Sequence, residues 1–180
     1  LENYELVLTY YQKFLSASIN VKSPLNELRA LSNIGNIYIE MNQLSTGLSY
    51  YTRALTIANE TGNIQISAII YNNLAEAFLK QKDYSLAHNN YLKSLKLAEE
   101  SMNMSAKVNA LNGLGKIYLH LHQYTKAELY SKLSLRFAKQ LNNLSSQADG
   151  YETLYNIYRK TKQFKNALWA YTNEKTLRDS

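Results

Sequence analysis

Apolar and polar positions follow a helical period along most of the chain, and the whole pattern returns every 40 residues. Within each unit the apolar residues are spaced by 3, 4 and 7, which is the spacing of one face of an α-helix. Each unit holds two such stretches, in the first unit over about 24–41 and 44–61. Short polar links separate them: "MNQ", "QKD", "LHQ" and "TKQ". The pattern therefore predicts an all-α chain built from antiparallel helix pairs.

Stacking the chain at this period needs no gap and produces columns of similar residues. Two of these columns are small, one on each predicted helix of a pair, and an aromatic column lies beside them. Removing side-chain bulk lets two helices approach closely, and the aromatic rings can then fill the space beside the contact. Since a single pair cannot bury its apolar face alone, neighbouring pairs are expected to stack into one core. The columns are Gly35, Ala75, Gly115; Gly47, Ala87, Ala127; and Tyr38, Phe78, Tyr118, Tyr158.

The same register divides the chain into one half unit and four full units. Residues 8–18 align with residues 48–58, so residues 1–20 are predicted to be the second helix of an incomplete unit. About nine helices result. Because the chain opens on Leu1 and in mid-repeat, we expect it to be a fragment of a larger protein. The four full units are predicted at 24–61, 64–101, 104–141 and 144–179.

The boundaries between units carry residues that begin and end helices. Ser and Asn side chains can accept a hydrogen bond from the free N–H groups of the helix that follows. Pro24 suits the first helical position, and Gly62 suits the left-handed turn that closes the preceding helix. The predicted caps are Ser23, Asn63, Asn103 and Asn143.

The amino-acid composition excludes several kinds of functional site. The 180 residues contain no cysteine, which excludes disulfides, thiolate metal sites and cysteine nucleophiles. No apolar run is long enough to span a bilayer. The net charge of +6 is concentrated near the C-terminus, which we interpret as a solvated helix face. The alternative is a phosphate-binding patch that holds nucleic acid. The patch consists of Arg159, Lys160, Lys162 and Lys165.

Catalytic and metal-binding motifs are missing from the sequence. It holds no Gly-rich phosphate loop, no Ser/His/Asp arrangement and no HExxH motif. His120 and His122 are two apart on a predicted helix and so point in different directions, which argues against a shared metal. We therefore expect a protein that is not an enzyme and has neither cofactor nor metal.

The repeat columns resemble the tetratricopeptide repeat family over nearly the whole chain. That family has a large residue, Leu, a small residue and Tyr on its first helix, followed by Ala, an aromatic and Ala on its second. The unit here is longer than the family's by roughly six residues. This 40-residue variant, with "NNLA" at 72–75, looks like the repeats of kinesin light chains and bacterial peptide-pheromone receptors. It also looks like arrays that precede output domains in bacterial sensor proteins.

The resemblance implies a right-handed α-solenoid, in which the first helices line a concave groove. Carrying the groove-facing positions of the family over to this sequence gives a polar, amide-rich set of candidate peptide-binding residues. These are Arg29, Asn33, Asn36, Asn72, Asn73, Glu76, Lys80, Asn109, Asn112, Lys116, Asn156 and Arg159.

Asparagine suits such a groove because its amide offers both a donor and an acceptor, as a peptide group does. Asparagines along the groove could hold an extended peptide, while basic residues such as Lys80 and Lys116 would select acidic groups. The simpler reading is that these amides only solvate an exposed helix face.

We therefore predict a non-catalytic scaffold that binds a protein or peptide, in the sensing or interaction region of a larger bacterial signalling protein. The first alternative is an oligomerisation or spacer array, which would make the partner a second copy of the chain. The second is nucleic-acid binding through the basic patch. No membrane contact is expected. The cytoplasm is the favoured compartment, with the periplasm as the alternative if the parent protein is a membrane sensor.

Overall fold

The computed structural model describes residues 2–179, and over this range the chain forms nine α-helices and no strand. This confirms the all-α prediction. The helices of the four full units are each 17 residues long except the last, which has 15. The helices are α1 (Glu2–Asn20), α2 (Pro24–Glu40), α3 (Leu44–Glu60), α4 (Ile64–Lys80), α5 (Tyr84–Glu100), α6 (Met104–His120), α7 (Tyr124–Gln140), α8 (Leu144–Lys160) and α9 (Phe164–Arg178).

The helices stack as a solenoid. Each helix packs against its neighbours in sequence, and the first helices of the pairs, α2, α4, α6 and α8, also pack against one another. The second helices, α3, α5, α7 and α9, make no contact with each other in the described chain. The first helices therefore line the inner side of the stack, which places one face of each toward the groove.

The core forms two main clusters of buried residues, one toward each end of the stack, and Phe78 packs against both. Leu28, Leu31 and Ile70 are fully buried near the N-terminal end, and Leu114 and Ile157 are fully buried near the C-terminal end. Full burial of one such side chain is worth about 1.5–3 kcal/mol. Packing between neighbouring units thus supplies the stability that no single helix pair has.

Small residues bring the helices of a pair together, as predicted. A Cβ atom added to Gly47 would lie 3.0 Å from the carbonyl oxygen of Gly35, and one added to Gly35 would lie 3.3 Å from that of Gly47. A Cβ atom on Gly115 would lie 2.6 Å from Oγ of Ser131. The close approach of the paired helices therefore leaves little room for a side chain at these positions.

Three of the four predicted caps are confirmed. The side-chain oxygens of Asn63, Asn103 and Asn143 each accept a hydrogen bond from the N–H group three residues further on, at 3.0–3.1 Å. The prediction was wrong for Ser23, whose hydroxyl makes no capping bond. Its oxygen is one bond closer to the backbone than an amide oxygen, and the ring of Pro24 fixes the start of this helix.

All eight links between helices contain a residue with a positive φ angle. The predicted left-handed conformation of Gly62 is confirmed, with φ of 65°. The other seven links adopt the same conformation without glycine, which the sequence did not reveal because their residues carry no common turn signal. These residues are Lys22, Asn42, Lys82, Met102, His122, Asn142 and Lys162.

Candidate functional site

Two adjoining clefts lie along the inner side of the solenoid. The first cleft, of about 230 Å³, is formed by α2, α3 and α4, and the second, of about 270 Å³, by α4, α5, α6 and α8. Asn73 and Glu76 line both clefts. The first is completed by Asn36, Ile39, Glu40, Tyr51, Ala77 and Lys80, and the second by Asn72, Tyr91, Asn109, Asn112, Gly113, Lys116 and Asp149.

In the first cleft, three of the polar side chains bond to one another. Oδ1 of Asn36 accepts a hydrogen bond from the Tyr51 hydroxyl and a second from Nδ2 of Asn73 at 2.8 Å. Burial raises the pKa of Tyr51, so its hydroxyl keeps its proton at neutral pH and stays a donor. These bonds tie α2, α3 and α4 together and occupy both lone pairs of the Asn36 oxygen.

The second cleft contains a similar contact one unit later. The Tyr91 hydroxyl, from α5, donates a hydrogen bond to Oε2 of Glu76 at 2.8 Å. Its ring lies against α6 at Gly113, where an added Cβ atom would come within 2.1 Å of the ring. Burial and the nearby Glu76 charge both raise the pKa of Tyr91, which keeps this hydroxyl protonated.

The third unit breaks this pattern because Ser131 takes the place of the tyrosine. Lys116, at the position equivalent to Asn36 and Glu76, lies with its Nζ 4.0 Å from Oδ2 of Asp149. Arg178 approaches the other oxygen of Asp149 at 3.8 Å. Both ion pairs are long and partly exposed, so the second cleft presents charged groups that are only loosely paired.

Asn72 and Asn112 are the unusual residues of the second cleft. Each is only 6% exposed, since α4 packs directly on α6 and α6 on α8. Nδ2 of Asn72 donates to the carbonyl oxygen of Ala106 at 2.9 Å, and Nδ2 of Asn112 donates to Asp149 at 3.5 Å. The Oδ1 atoms of both amides have no hydrogen-bond partner in residues 2–179.

An orphaned buried acceptor is expensive, because its desolvation costs about 1–3 kcal/mol when no donor replaces water. The alternative reading, in which the amides only solvate an exposed helix face, does not hold for these two residues, because each is only 6% exposed. Both side chains are buried where they line the second cleft, and their Oδ1 atoms have almost no accessible surface.

The other residues predicted from the sequence to bind a peptide lie in several different clefts or outside them. Asn109 and Lys116 lie in the second cleft, and Lys80 lies in the first. Arg29 and Asn33 line a separate cleft with residues near the start of α4. Nδ2 of Asn156 bonds to the carbonyl oxygen of its own helix at Glu152, and neither Asn156 nor Arg159 lines the two main clefts.

Sequence reasoning missed seven residues that line the clefts: Ile39, Glu40, Tyr51, Ala77, Tyr91, Gly113 and Asp149. The two tyrosines occupy one column of the repeat, and their rings are buried. A signal was available, since Asn36 and Glu76 occupy a polar column beside it, and both columns change in the third unit, to Ser131 and Lys116.

Other candidate chemistry lies away from the clefts. Lys160, Lys162 and Lys165 are exposed around the turn from α8 to α9, and the Arg159 guanidinium lies 5.3 Å from the ring centroid of Tyr155. Between residues 2 and 179, no cluster of three or more His, Asp or Glu side chains could hold a metal ion. None of the described helices is long and apolar enough to cross a membrane.

The family model of the tetratricopeptide repeat matches residues 26–100, which include all residues of the first cleft and four of the nine that line the second. Residues 26–100 are tetratricopeptide repeats. The matched range spans α3, α4 and α5 and all but the first two residues of α2. No curated protein matches the chain significantly.

Solved structures extend the tetratricopeptide-repeat fold to the whole described chain. The apo form of RapI matches 99% of this chain with a TM-score of 0.83 at 20% identity, and aspartyl phosphate phosphatase F from Bacillus subtilis matches 95% with the same score and identity. A putative kinesin light chain from Podospora anserina with nearly identical TPR-like repeats has a TM-score of 0.68 over 97% of the chain, at 11% identity, and is itself covered to 87%. The chain spans 50% of RapI and 45% of the phosphatase.

Proposed function

We propose that this chain is a non-catalytic scaffold that binds a peptide or an extended protein segment in the second cleft. The observation that carries the proposal is the second cleft itself, about 270 Å³ on the inner side of the solenoid, which amide and charged side chains of α4, α6 and α8 line. The tetratricopeptide-repeat match supports a role in protein interaction.

The polar character of the second cleft suits a peptide backbone, which presents donors and acceptors in turn. In this cleft Asn109 is exposed, and the charged side chains of Glu76, Lys116 and Asp149 line the same cleft. The first cleft is less suited to a ligand because Asn36 and Asn73 already bond to each other. Among the twelve candidates from the sequence, the proposed contact residues are therefore Asn72, Asn73, Glu76, Asn109, Asn112 and Lys116.

The wider setting of this proposal is a larger bacterial regulator, in which the repeats sense or recruit a partner. It is supported by the similarity to RapI and the Bacillus subtilis phosphatase, of which the chain spans half or less. The alternative, self-association, is favoured by the apolar residues that α9 exposes: Phe164, Leu168 and Trp169.

The test is selection of ligands from a library of random heptapeptides displayed on phage, followed by titration calorimetry with the selected peptide. We expect Asn72→Ala combined with Asn112→Ala to weaken binding by about tenfold or more, because both side chains line the second cleft and bond to the helices that form it. Circular dichroism checks that the variant keeps its helices.

Ser94→Ala is the matched control. The Ser94 hydroxyl is fully buried and donates to the carbonyl oxygen of Ala68 at 2.7 Å, so its removal also deletes a buried bond to a backbone carbonyl. Ser94 lines neither cleft, so this variant should lose stability and keep its affinity. Failure to enrich any peptide, or equal affinity for the double variant and the wild type, would refute the proposal. A mass that rises with concentration in light scattering would instead favour self-association.

A further inference from the structure

A further cleft lies at the junction of the first and second full units. It has a volume of about 360 Å³ and is formed by the end of α3, the first half of α4 and the second half of α5. It shares no lining residue with the first or the second cleft. We call it the lysine cleft, because Lys93 and Lys96 of α5 both line it.

The floor of the lysine cleft is apolar. Ala58 and Ser67 line the cleft although they are only 1% and 4% exposed, so the cleft reaches the interior of the stack. The Ser67 hydroxyl already donates to the carbonyl oxygen of Asn63, at 3.2 Å. Leu97 and the partly buried Tyr71 complete the apolar part of the lining. The floor therefore offers an apolar contact to a side chain that enters.

The rim of the lysine cleft carries more positive than negative charge. Lys93 and Lys96 are both exposed, and Glu100 is the one carboxylate among the described residues that line the cleft. Nζ of Lys96 lies 3.9 Å from Oε1 of Glu100, and 78% of the lysine side chain is exposed, so this ion pair is weak. Nζ of Lys93 lies 5.3 Å from the centroid of the Tyr71 ring. Carboxylates of a ligand could therefore pair with both lysines.

The next junction along the stack shows how the equivalent space is filled. The residue 40 positions after Ser67 is Lys107. Nζ of Lys107 lies 2.8 Å from Oε1 of Glu99 on α5 and 4.7 Å from the centroid of the Phe137 ring on α7. These two contact residues correspond, 40 positions on, to residues of α3 and α5 that line the lysine cleft. Lys107 therefore spans the space that the short side chain of Ser67 leaves open one unit earlier.

We propose that the lysine cleft is a second interaction site, which binds an acidic segment of a partner protein. One apolar side chain of that segment enters the cleft, in the place that Lys107 takes one unit later. Carboxylates next to it in the segment pair with Lys93 and Lys96. The apolar floor selects the side chain, and the positive rim selects the acidic residues around it. This site goes beyond the proposed function, because it lies on a different surface from the second cleft.

A variant with a filled lysine cleft is the main tool for the test. Ser67→Lys combined with Asn59→Glu copies the pair that Lys107 and Glu99 form one unit later, so the new lysine should lie across the cleft. Neither substituted residue lines the first or the second cleft, so both of these clefts are unchanged. Circular dichroism checks that this filled variant keeps its helices.

The test selects peptides from a library of random heptapeptides displayed on phage. The full wild-type chain is immobilised, and an excess of the filled variant in solution removes peptides that bind any other surface. We expect the enriched peptides to share an apolar residue with Asp or Glu beside it. In titration calorimetry they should bind the wild type at least about tenfold more tightly than the filled variant, because burial of an apolar side chain is lost.

A second variant tests the charge of the rim without filling the cleft. Lys93→Gln combined with Lys96→Gln changes two exposed side chains and should lower the affinity for the selected peptides by about threefold to tenfold. Lys160→Gln combined with Lys162→Gln is the matched control, since it removes the same charge from another exposed part of the chain. This control should keep the wild-type affinity. If the filled variant does not fold, the Lys93 and Lys96 double variant replaces it as the competitor.

Three outcomes would overturn the inference. The first is that no peptide is enriched in the presence of the competitor. The second is enrichment of peptides without acidic residues, and the third is equal affinity of the Lys93 and Lys96 double variant and its matched control. None of these results affects the proposed function, because peptides that occupy the second cleft should bind the wild type and the filled variant equally well.

Discussion

At the scale of single residues, tyrosine hydroxyls from the second helices donate hydrogen bonds to acceptors on the groove-lining first helices. Tyr91 donates to the carboxylate of Glu76, and Tyr51 donates to the amide oxygen of Asn36. In the third unit Lys116 takes this position and lies 4.0 Å from Asp149, while Ser131 replaces the tyrosine. The Ser131 hydroxyl is buried and has no hydrogen-bond partner in residues 2–179. The third unit therefore lacks the bond between second helix and groove that Tyr51 and Tyr91 make in the first two units.

The tight contact between Tyr91 and Gly113 leads to a prediction on stability. Gly113→Ala should lower the free energy of unfolding by about 1–3 kcal/mol, the usual cost of overpacking. The added methyl group would overlap the Tyr91 ring, and this ring is held by burial and by its bond to Glu76. Urea denaturation followed by circular dichroism measures the effect.

Gly150→Ala provides the control for this prediction. Gly150 also lies inside a helix, but the nearest atom to an added Cβ would be 3.5 Å away, which is ordinary contact. Alanine is favoured over glycine in a helix by up to about 1 kcal/mol, so this variant should gain stability. Equal effects at the two glycines would contradict the geometry described for Tyr91.

At the scale of elements, the first helices of the pairs begin in two ways. Helices α4, α6 and α8 have a capping bond from an asparagine side chain, and α2 has none. Asn103→Ala should lower the free energy of unfolding by about 1 kcal/mol, because the cap bond to the Ala106 N–H group is lost. Ser23→Ala should change stability by only a few tenths of a kcal/mol, since the Ser23 hydroxyl makes no such bond. Chemical denaturation of both variants measures the difference. A larger loss for Ser23→Ala than for Asn103→Ala would contradict the capping geometry.

The elements themselves could be predicted from the sequence with good accuracy. The first pair was expected over about 24–41 and 44–61 and is found at Pro24–Glu40 and Leu44–Glu60. Four aligned copies made each boundary visible several times, which compensates for the weak signal of any single one. The seven left-handed links without glycine could not be predicted, since their conformation is imposed by the helices they join.

The site was predicted only in part, because its details depend on packing between units. The sequence identified eight residues that line the two clefts, including Asn72 and Asn112. It could not show that these two amides are buried, because their burial depends on how closely α4 approaches α6 and α6 approaches α8. Nor could it show that the Tyr51 and Tyr91 hydroxyls reach from the second helices to the groove.

At the scale of the whole molecule, contacts reach only the next unit. In the described chain, no helix contacts another that is more than two places away in sequence. In such arrays, stability is close to a sum of units and of the interfaces between neighbours. The loss of a terminal unit should therefore lower the stability of the remaining stack without unfolding it.

Deletion of residues 141–180, which removes α8 and α9, tests this view. We expect the shortened chain to keep a helical circular-dichroism signal per residue close to that of the full chain and to melt at a lower temperature. The reason is that α1 to α7 retain all contacts among themselves, while the interface of α8 with α6 and α7 is lost. Collapse of the helical signal to that of an unfolded chain would contradict the prediction.

The short reach of the contacts also has a mechanical consequence. Because distant units make no contact, small rotations at successive junctions add up, and the described array can bend or straighten. A peptide that bridges α4 and α6 would restrict the rotation between their two units. Peptide binding would then change the end-to-end distance of the array.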